Sequence, residues 1–467
     1  MAAAKTAKFQ KDLTRGGVAK RLVLFALPFL GANFLQALYN MADMFFVGRF
    51  NGAVGATAVG VGGQVTILMV NLIAGLTVGG TVLIAQFIGA GAQKKVERTV
   101  GTLFTLYGAA GIVLTAVMLV LNPYILRLLV SDPLAYPETL RYTNICMAGL
   151  LFIFGYNAVS AVLRGMGDSK HPLLFVAVAA ALNVGLDALF CGPLRWGAAG
   201  AAGATVISQG VSFLLSVWFL RRRGFLFDFH PKSFRVDKVI ARLLLKIGLP
   251  SSIGGVMVSL SFIGLTYIAD SVAGLVGTTA LSVTGKVNSV AILPAIALQS
   301  ATSSMAGQNL GAQKHKRALH TCLTAMALTL CITLPMLLLV QAFAGPIFRF
   351  FVGSESAGLP METFNAFLEQ FIIYIRSISW DYLLVAVVFN IVGLAIAAGH
   401  TKFTLAMSVV SSLLLRLPAA WVLGKTLGLG LMGLGFAVPI TTLFSLIIDT
   451  IYLLTGKWKR SKIDVRH

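Results

Sequence analysis

The sequence predicts an all-α polytopic membrane protein with twelve transmembrane helices in two pseudo-symmetric six-helix lobes. Three observations carry that reading. Of 467 residues, 57% are hydrophobic and only 11% charged, and the mean hydropathy is +0.87, far from the balance of a soluble globular chain. Twelve apolar runs reach the roughly 20 residues needed to cross a hydrocarbon core, and their length without strict alternation favours helices over a barrel. The second half of the chain also repeats the first at a nearly constant offset.

A tail with six Lys and Arg precedes the first run, near 22–47, which carries Pro28. That run is long and has no small-residue cleavage site, so it does not read as a cleavable signal peptide. The second run, 54–80, leads to a basic loop at 94–98; the third spans 98–121, and the fourth, 140–163, ends at "LRGMGDSKHP". The fifth, 172–193, contains "ALNVGLDALF", and a very short loop at 192–197 leads into the sixth, 198–220. The basic segment "RRRGFLFDFHPKSFRVDK", 221–238, follows. The seventh run, 243–269, carries Pro250, and the eighth, 277–300, contains Lys286. The ninth, 318–344, follows "GQNLGAQKHKRA"; the tenth, 370–398, contains Asp381; the eleventh, 403–423, contains Arg416; and a short loop at 424–430 joins the last, 432–456. This order predicts an N-terminal lobe at 1–220, a linker at 221–242 and a C-terminal lobe at 243–467, with both prolines bending their helices.

The net charge of +21 is a matter of placement. The two tails and every second loop hold 28 of the Lys and Arg, and the alternate loops only seven. That asymmetry is the positive-inside signal, which predicts cytoplasmic termini, an even helix count, and Glu355 and Glu362 outside. Basicity here marks topology in a cell inner (plasma) membrane and gives no reason to expect a nucleic-acid partner. Cys146, Cys191, Cys322 and Cys331 fall within or beside the runs without metal-ligand spacing, and read as small core residues.

A shift of 222 superposes Leu27-Pro28 on Leu249-Pro250, Gly55 on Gly277, Gly63 on Gly285, Gln86 on Gln308 and Gly89-Ala90 on Gly311-Ala312. Past 353–364 the shift becomes 232, matching Tyr142 to Tyr374, Gly167 to Gly399, Lys170 to Lys402 and Gly203 to Gly435. Because each half has six helices, the repeats share one orientation, related by an axis along the membrane normal. Two such lobes around a central cleft can rock to expose it to either side in turn.

The candidate chemistry lies in the intramembrane polar residues. A carboxylate placed mid-span costs about 2.5–3.5 kcal/mol on insertion scales, so it is a functional candidate by default. Asn183 and Asp187 sit one turn apart on one helix face. By run boundaries, Asp43 and Asp187 lie at similar depth, about 8–9 Å below the outer surface, with Thr205 beside them. Two carboxylates, an amide and a hydroxyl in one layer suit a small hard cation or a shared proton.

"LPFLGANFLQALYNMADMFFVGRF", "LRGMGDSKHP", "LNVGLD" and "GQNLGAQKHKRA", in this order over about residues 14–456, resemble the multidrug and toxic compound extrusion (MATE) family, in its DinF-like branch. The resemblance implies a secondary transporter that exports amphipathic, often cationic compounds in exchange for H+ or Na+, with no other cofactor and as a monomer. It puts the cation-coupling role, including any Na+ ligation, on Asp43, Asn183, Asp187 and Thr205, with Tyr39 and Asn157 nearby; Gln36 is a further cleft candidate. The NorM-like branch instead carries acids in the seventh and tenth helices. Here the seventh has none before Asp270, and the tenth places Val385 near the expected position.

In the C-terminal lobe, Lys286, Asp381 and Arg416 fall roughly 12–17 Å deep. An Asp381–Arg416 pair is expected to stabilise the lobe, leaving Lys286 either neutral through desolvation or facing an anionic group of the substrate. No phosphate-binding loop, zinc-protease helix or nucleophile elbow is present, which argues against an ATP-driven pump and against an enzyme. A flippase for lipids or lipid-linked precursors is the alternative function, since a fold does not fix a substrate.

Overall fold

A straight helix of 54 residues would be about 80 Å long, far more than a bilayer, so the segment Lys238–Ala291 must turn back. It does so at Gly274, whose backbone (φ 54°, ψ −140°) no ordinary helix contains. A methyl group on Gly277 would stand 2.6 Å from the Ala269 carbonyl, eight residues earlier, which only a reversal allows. The same device appears 222 residues upstream. Gly52 has φ 63° and ψ −156°, and a methyl on Gly55 would meet Val47 at 2.6 Å.

The computed structural model describes residues 9–130, 132–225, 227–230, 233–352 and 361–463; Glu355 lies outside them. Among these residues the helices are α1 (Val18–Gly52), α2 (Val54–Gly89), α3 (Gln93–Leu129), α5 (Lys170–Cys191) and α6 (Gly197–Arg222). Between α3 and α5 comes α4, in two halves, Ala135–Ala148 and Leu150–Gly165, bent by 46°. The second set begins with α7, from Lys238 to the reversal at Gly274, and α8, which runs from there and continues as Leu293–Gly311. It ends with α9 (His315–Val352), α10 (Met361–Ile378 with Asp381–Ala397), α11 (Thr401–Thr426) and α12 (Gly430–Leu454). Helices begin and end several residues beyond the apolar runs, because polar first and last turns lie outside the hydrocarbon core.

Separate aromatic-rich cores fill the two sets. Phe87, Tyr107 and Phe154 are buried in the first, and Phe348, Phe371 and Tyr374 in the second. Cys146, Cys191 and Cys322 are buried as expected, but Cys331 is exposed on the outer surface of α9.

Left-handed backbone positions repeat with the sequence: Gly91 with Gln313, Gly167 with Gly399, and Gly224 with Gly456. Arg195 and Gly197 match Gly428 and Gly430, at an offset of one more residue. That extra residue sits in α11, whose helix widens into π-type turns at Val410–Leu415 and Val422–Thr426, on either side of Arg416. A π-type turn accommodates an added residue without breaking the helix.

At the face bearing both tails, the two halves close on each other through symmetric contacts. A methyl on Gly89 would stand 2.0 Å from the Gln308 carbonyl, and one on Gly311 2.0 Å from that of Gln86, so only glycine permits this crossing of α2 and α8. Gln86 donates to the Ala397 carbonyl at 2.5 Å, and Gln308 donates to the Gly165 carbonyl at 3.3 Å; Gly165 and Ala397 are themselves repeat partners. Each glutamine also accepts from a tail, Gln308 from the Leu13 N–H and Gln86 from the Ser461 hydroxyl, both at 3.0 Å. The tails are pinned at matched carbonyls, Lys11 N–H on Met166 and Lys462 N–H on Ala398.

Side chains complete the pinning. Buried Asp168 bonds His171 and, at 3.3 Å, Lys11. Burial pushes its carboxyl up, but the hydrogen bond and charge of His171 and the charge of Lys11 outweigh this and hold it below the usual carboxylate value. Its repeat partner His400 bonds the Tyr452 hydroxyl at 2.7 Å and the Arg460 carbonyl at 3.1 Å, and burial lowers its imidazole pKa.

Toward the opposite face, methyl groups on Gly63 and on its repeat partner Gly285 would meet nothing within 4 Å. The crossing of α2 and α8 and the pinned tails thus shut the tail face.

Candidate cation-coupling site and central cleft

Asp43 on α1, Asn183 and Asp187 on α5, and Thr205 on α6 meet inside the first lobe. Asp43, Asn183 and Asp187 are 4%, 2% and 0% exposed. Thr205 donates to Asp43 Oδ2 at 3.2 Å and accepts from Asn183 Nδ2 at 3.3 Å. The Asp43 and Asp187 carboxyls lie close enough to act directly on one another.

Among the described residues, four buried acceptor oxygens here receive no hydrogen bond from an N–H or O–H donor: Asp43 Oδ1, Asn183 Oδ1 and both oxygens of Asp187. Buried acceptors are normally satisfied, and leaving one bare costs about 1–3 kcal/mol. A set of four bare hard oxygens, two of them on one carboxylate, fits a small cation or a proton held between carboxylates.

The depths differ from the sequence estimate. Because α1 continues to Gly52, Asp43 stands nine residues, about 14 Å, from its end, while Asp187 stands four residues, about 6 Å, from Cys191. The residues meet although their helices end at different heights.

The repeat does not reproduce this cluster. Asp43 matches Leu265 and Asp187 matches Ala420, both fully buried apolar positions, and Asn183 matches Arg416. Only one lobe carries the cluster.

Of the cleft candidates, Tyr39 is buried and its hydroxyl accepts from Gln36 at 3.3 Å and from Gln209 at 3.2 Å. Asn157 bonds the Ile153 carbonyl at 2.8 Å and lines a cavity of about 340 Å³. Lys286 is exposed on α8.

The Asp381–Arg416 pair needs correction. Both line a second cavity of about 450 Å³, but they make no ion-pair contact. Asp381, at the break of α10, lies near Thr442, and the Arg416 guanidinium lies over the Phe262 ring at 5.4 Å, so the two charges attract across a gap.

Sequence reasoning missed three residues. Asp449 in α12 is fully buried and lines the second cavity; as an acid inside an apolar run it met the test that singled out Asp187. Arg164 was counted with a loop because the fourth run was ended one residue before it, yet it lies within α4 and lines the first cavity. Gln209 shows its role only through Tyr39, a contact between helices far apart in sequence.

Comparison with known proteins agrees with this architecture. The MatE family model matches residues 28–189 and 250–422, one block in each half. A probable multidrug resistance protein of Bacillus subtilis, YpnP, is 29% identical over 457 residues, covering 97% of this chain and 98% of that protein. A probable multidrug resistance protein of Thermotoga maritima, NorM, is 26% identical, covering 96% and 95%. Among solved structures, a MOP superfamily transporter from Pyrococcus furiosus superposes with a TM-score of 0.89 at 24% identity, covering 97% of this chain and 98% of that one.

Proposed function

This chain belongs to the MatE family of multidrug efflux transporters, and from that premise we propose that it is a cation-coupled antiporter, driven by H+ or Na+, that exports amphipathic compounds by alternating access. The observation that carries the coupling role is the cluster of four bare oxygens on Asp43, Asn183 and Asp187. Two touching carboxylates away from water repel unless a cation or proton sits between them. Loading the site would draw α1, α5 and α6 together; emptying it would let them part.

Helix α1 links this site to the cleft. It carries Asp43, then Tyr39 in its bonds to Gln36 and Gln209, then Phe29 in the wall of the 340 Å³ cavity. A shift of α1 set by the ion would move that wall and change affinity for substrate, which is the differential interaction that coupling requires.

The positive-inside count supports a cytoplasmic tail face in the plasma membrane. The closed tail face then corresponds to a cleft open to the outside. The flippase alternative gains no support from the relatives compared above, which carry the names of multidrug resistance proteins.

The test is substrate efflux from proteoliposomes under a proton gradient alone and under a sodium gradient alone. The proposal expects one of them to drive transport; transport indifferent to both would overturn it.

A further inference from the structure

Besides Asp381 and Arg416, two charges outside the coupling cluster have no counter-charge in contact: Asp449, which is buried, and Arg164, which is half-buried. Asp449 is 0% exposed, and neither carboxylate oxygen has a hydrogen-bond partner. It ends a stripe on α12, Val438, Thr442, Ser445 and Asp449, that faces the 450 Å³ cavity. Two other charges, Asp381 and Arg416, line that cavity. Asp381 lies near Thr442, two turns or about 10 Å from Asp449 along α12, and Arg416 lies over Phe262, while Asp381 Oδ1 and Arg416 Nε keep no hydrogen-bond partner among the described residues.

Arg164 lines the 340 Å³ cavity. Its guanidinium lies over the Phe29 ring at 5.2 Å, with the phenols of Tyr107 and Tyr156 in range, and no carboxylate pairs with it among the described residues. Arg164 immediately precedes Gly165, whose carbonyl takes the Gln308 hydrogen bond, so it stands on the floor of the cleft just above the closure. Asp449 is five residues, about 8 Å, from the tail-side end of α12. The cavities adjoin, sharing Val78, Gln299 and Ile396 in their walls.

Building on the transport reading, we propose that the two cavities form one dipolar substrate site for zwitterionic amphiphiles. Arg164 takes the anionic group, Asp449 takes the ammonium group, and the apolar body lies against Val78 and Ile396. A buried charge without a partner penalises every guest that fails to match it. A compound with only an ammonium leaves Arg164 bare, and one with only a carboxylate leaves Asp449 bare. The zwitterion satisfies both.

The test is binding to the purified protein in nanodiscs of three probes built on one naphthyl body, bearing an ammonium, a carboxylate, or both at opposite ends. The zwitterion should bind at least about 10-fold more tightly than either single-charge probe. Arg164→Gln should weaken the carboxylate and zwitterion probes by about 10-fold while sparing the ammonium probe, with Arg164→Lys restoring much of the loss. Asp449→Asn should do the reverse, weakening the ammonium and zwitterion probes and sparing the carboxylate. The spared probe also reports that each variant is folded. Equal weakening of all three probes, no change in any, or a wild-type preference for a single-charge probe would overturn the proposal. No ion gradient enters this measurement, so a failure of the coupling reading would leave it intact, and the converse.

Discussion

Replacing both Gln86 and Gln308 by alanine should open the tail face. Between them these side chains hold four hydrogen bonds: to the Ala397 and Gly165 carbonyls, and from the Ser461 hydroxyl and the Leu13 N–H. At a net of about 0.5–1.5 kcal/mol each, the closed arrangement loses roughly 2–6 kcal/mol relative to one in which these groups meet water. Even the lower figure moves the equilibrium about 30-fold. Ser300, in the wall of the 340 Å³ cavity above the closure, is a suitable reporter. With Ser300→Cys in a background lacking the four native cysteines, an impermeant thiol reagent added from the tail side should react at least about 30-fold faster in the double variant. Each single variant removes two bonds and should give a smaller rise. A well-folded double variant with an unchanged rate, or with reactivity increased equally from both faces, would show that these glutamines do not hold the cleft shut.

Other positions give further tests. Lys286→Ala should weaken export of anionic and zwitterionic compounds more than cationic ones across a charge-varied panel; an unchanged ranking would leave Lys286 without a role toward substrate. Arg416→Ala should lower thermal stability by leaving Asp381 without its distant counter-charge, and adding Asp381→Asn should recover part of the loss; no recovery would mean that Phe262 contact, not charge, is what Arg416 supplies. For orientation, Glu362→Cys should be labelled from outside the cell and Lys316→Cys only from within, and the opposite pattern would reverse the topology.

The large-scale architecture was legible because the bilayer imposes it. Runs of about 20 apolar residues and a repeat at 222 and then 232 residues fix helices, lobes and their relation before any contact is known. The cluster of Asp43, Asn183 and Asp187 was legible for the same reason, since polar groups stand out where apolar ones are required. Contacts between helices were less so. The expected Asp381–Arg416 contact assumed that opposite charges at equal depth meet, but Thr442 and Phe262 lie nearer to them. Arg164 was hidden because a boundary set by hydropathy stops where the first charge appears, while the helix itself continues to Gly165. The closure at the tail face depends on Gln86 and Gln308 reaching carbonyls hundreds of residues away, and the repeat marked these residues without saying what they bind.

The central claim is that the buried carboxylates of the first lobe convert an ion gradient into substrate movement. Asp187→Asn keeps the shape of the side chain and removes its charge, so the most direct measurement is this variant, and with it Asp43→Asn, in proteoliposomes assayed two ways. Under an imposed gradient of the coupling ion, both variants are expected to lose uphill export. Binding of substrate to the same purified proteins should persist, which shows that the fold and the cleft survive. Uphill export at the wild-type rate in either variant would contradict the account.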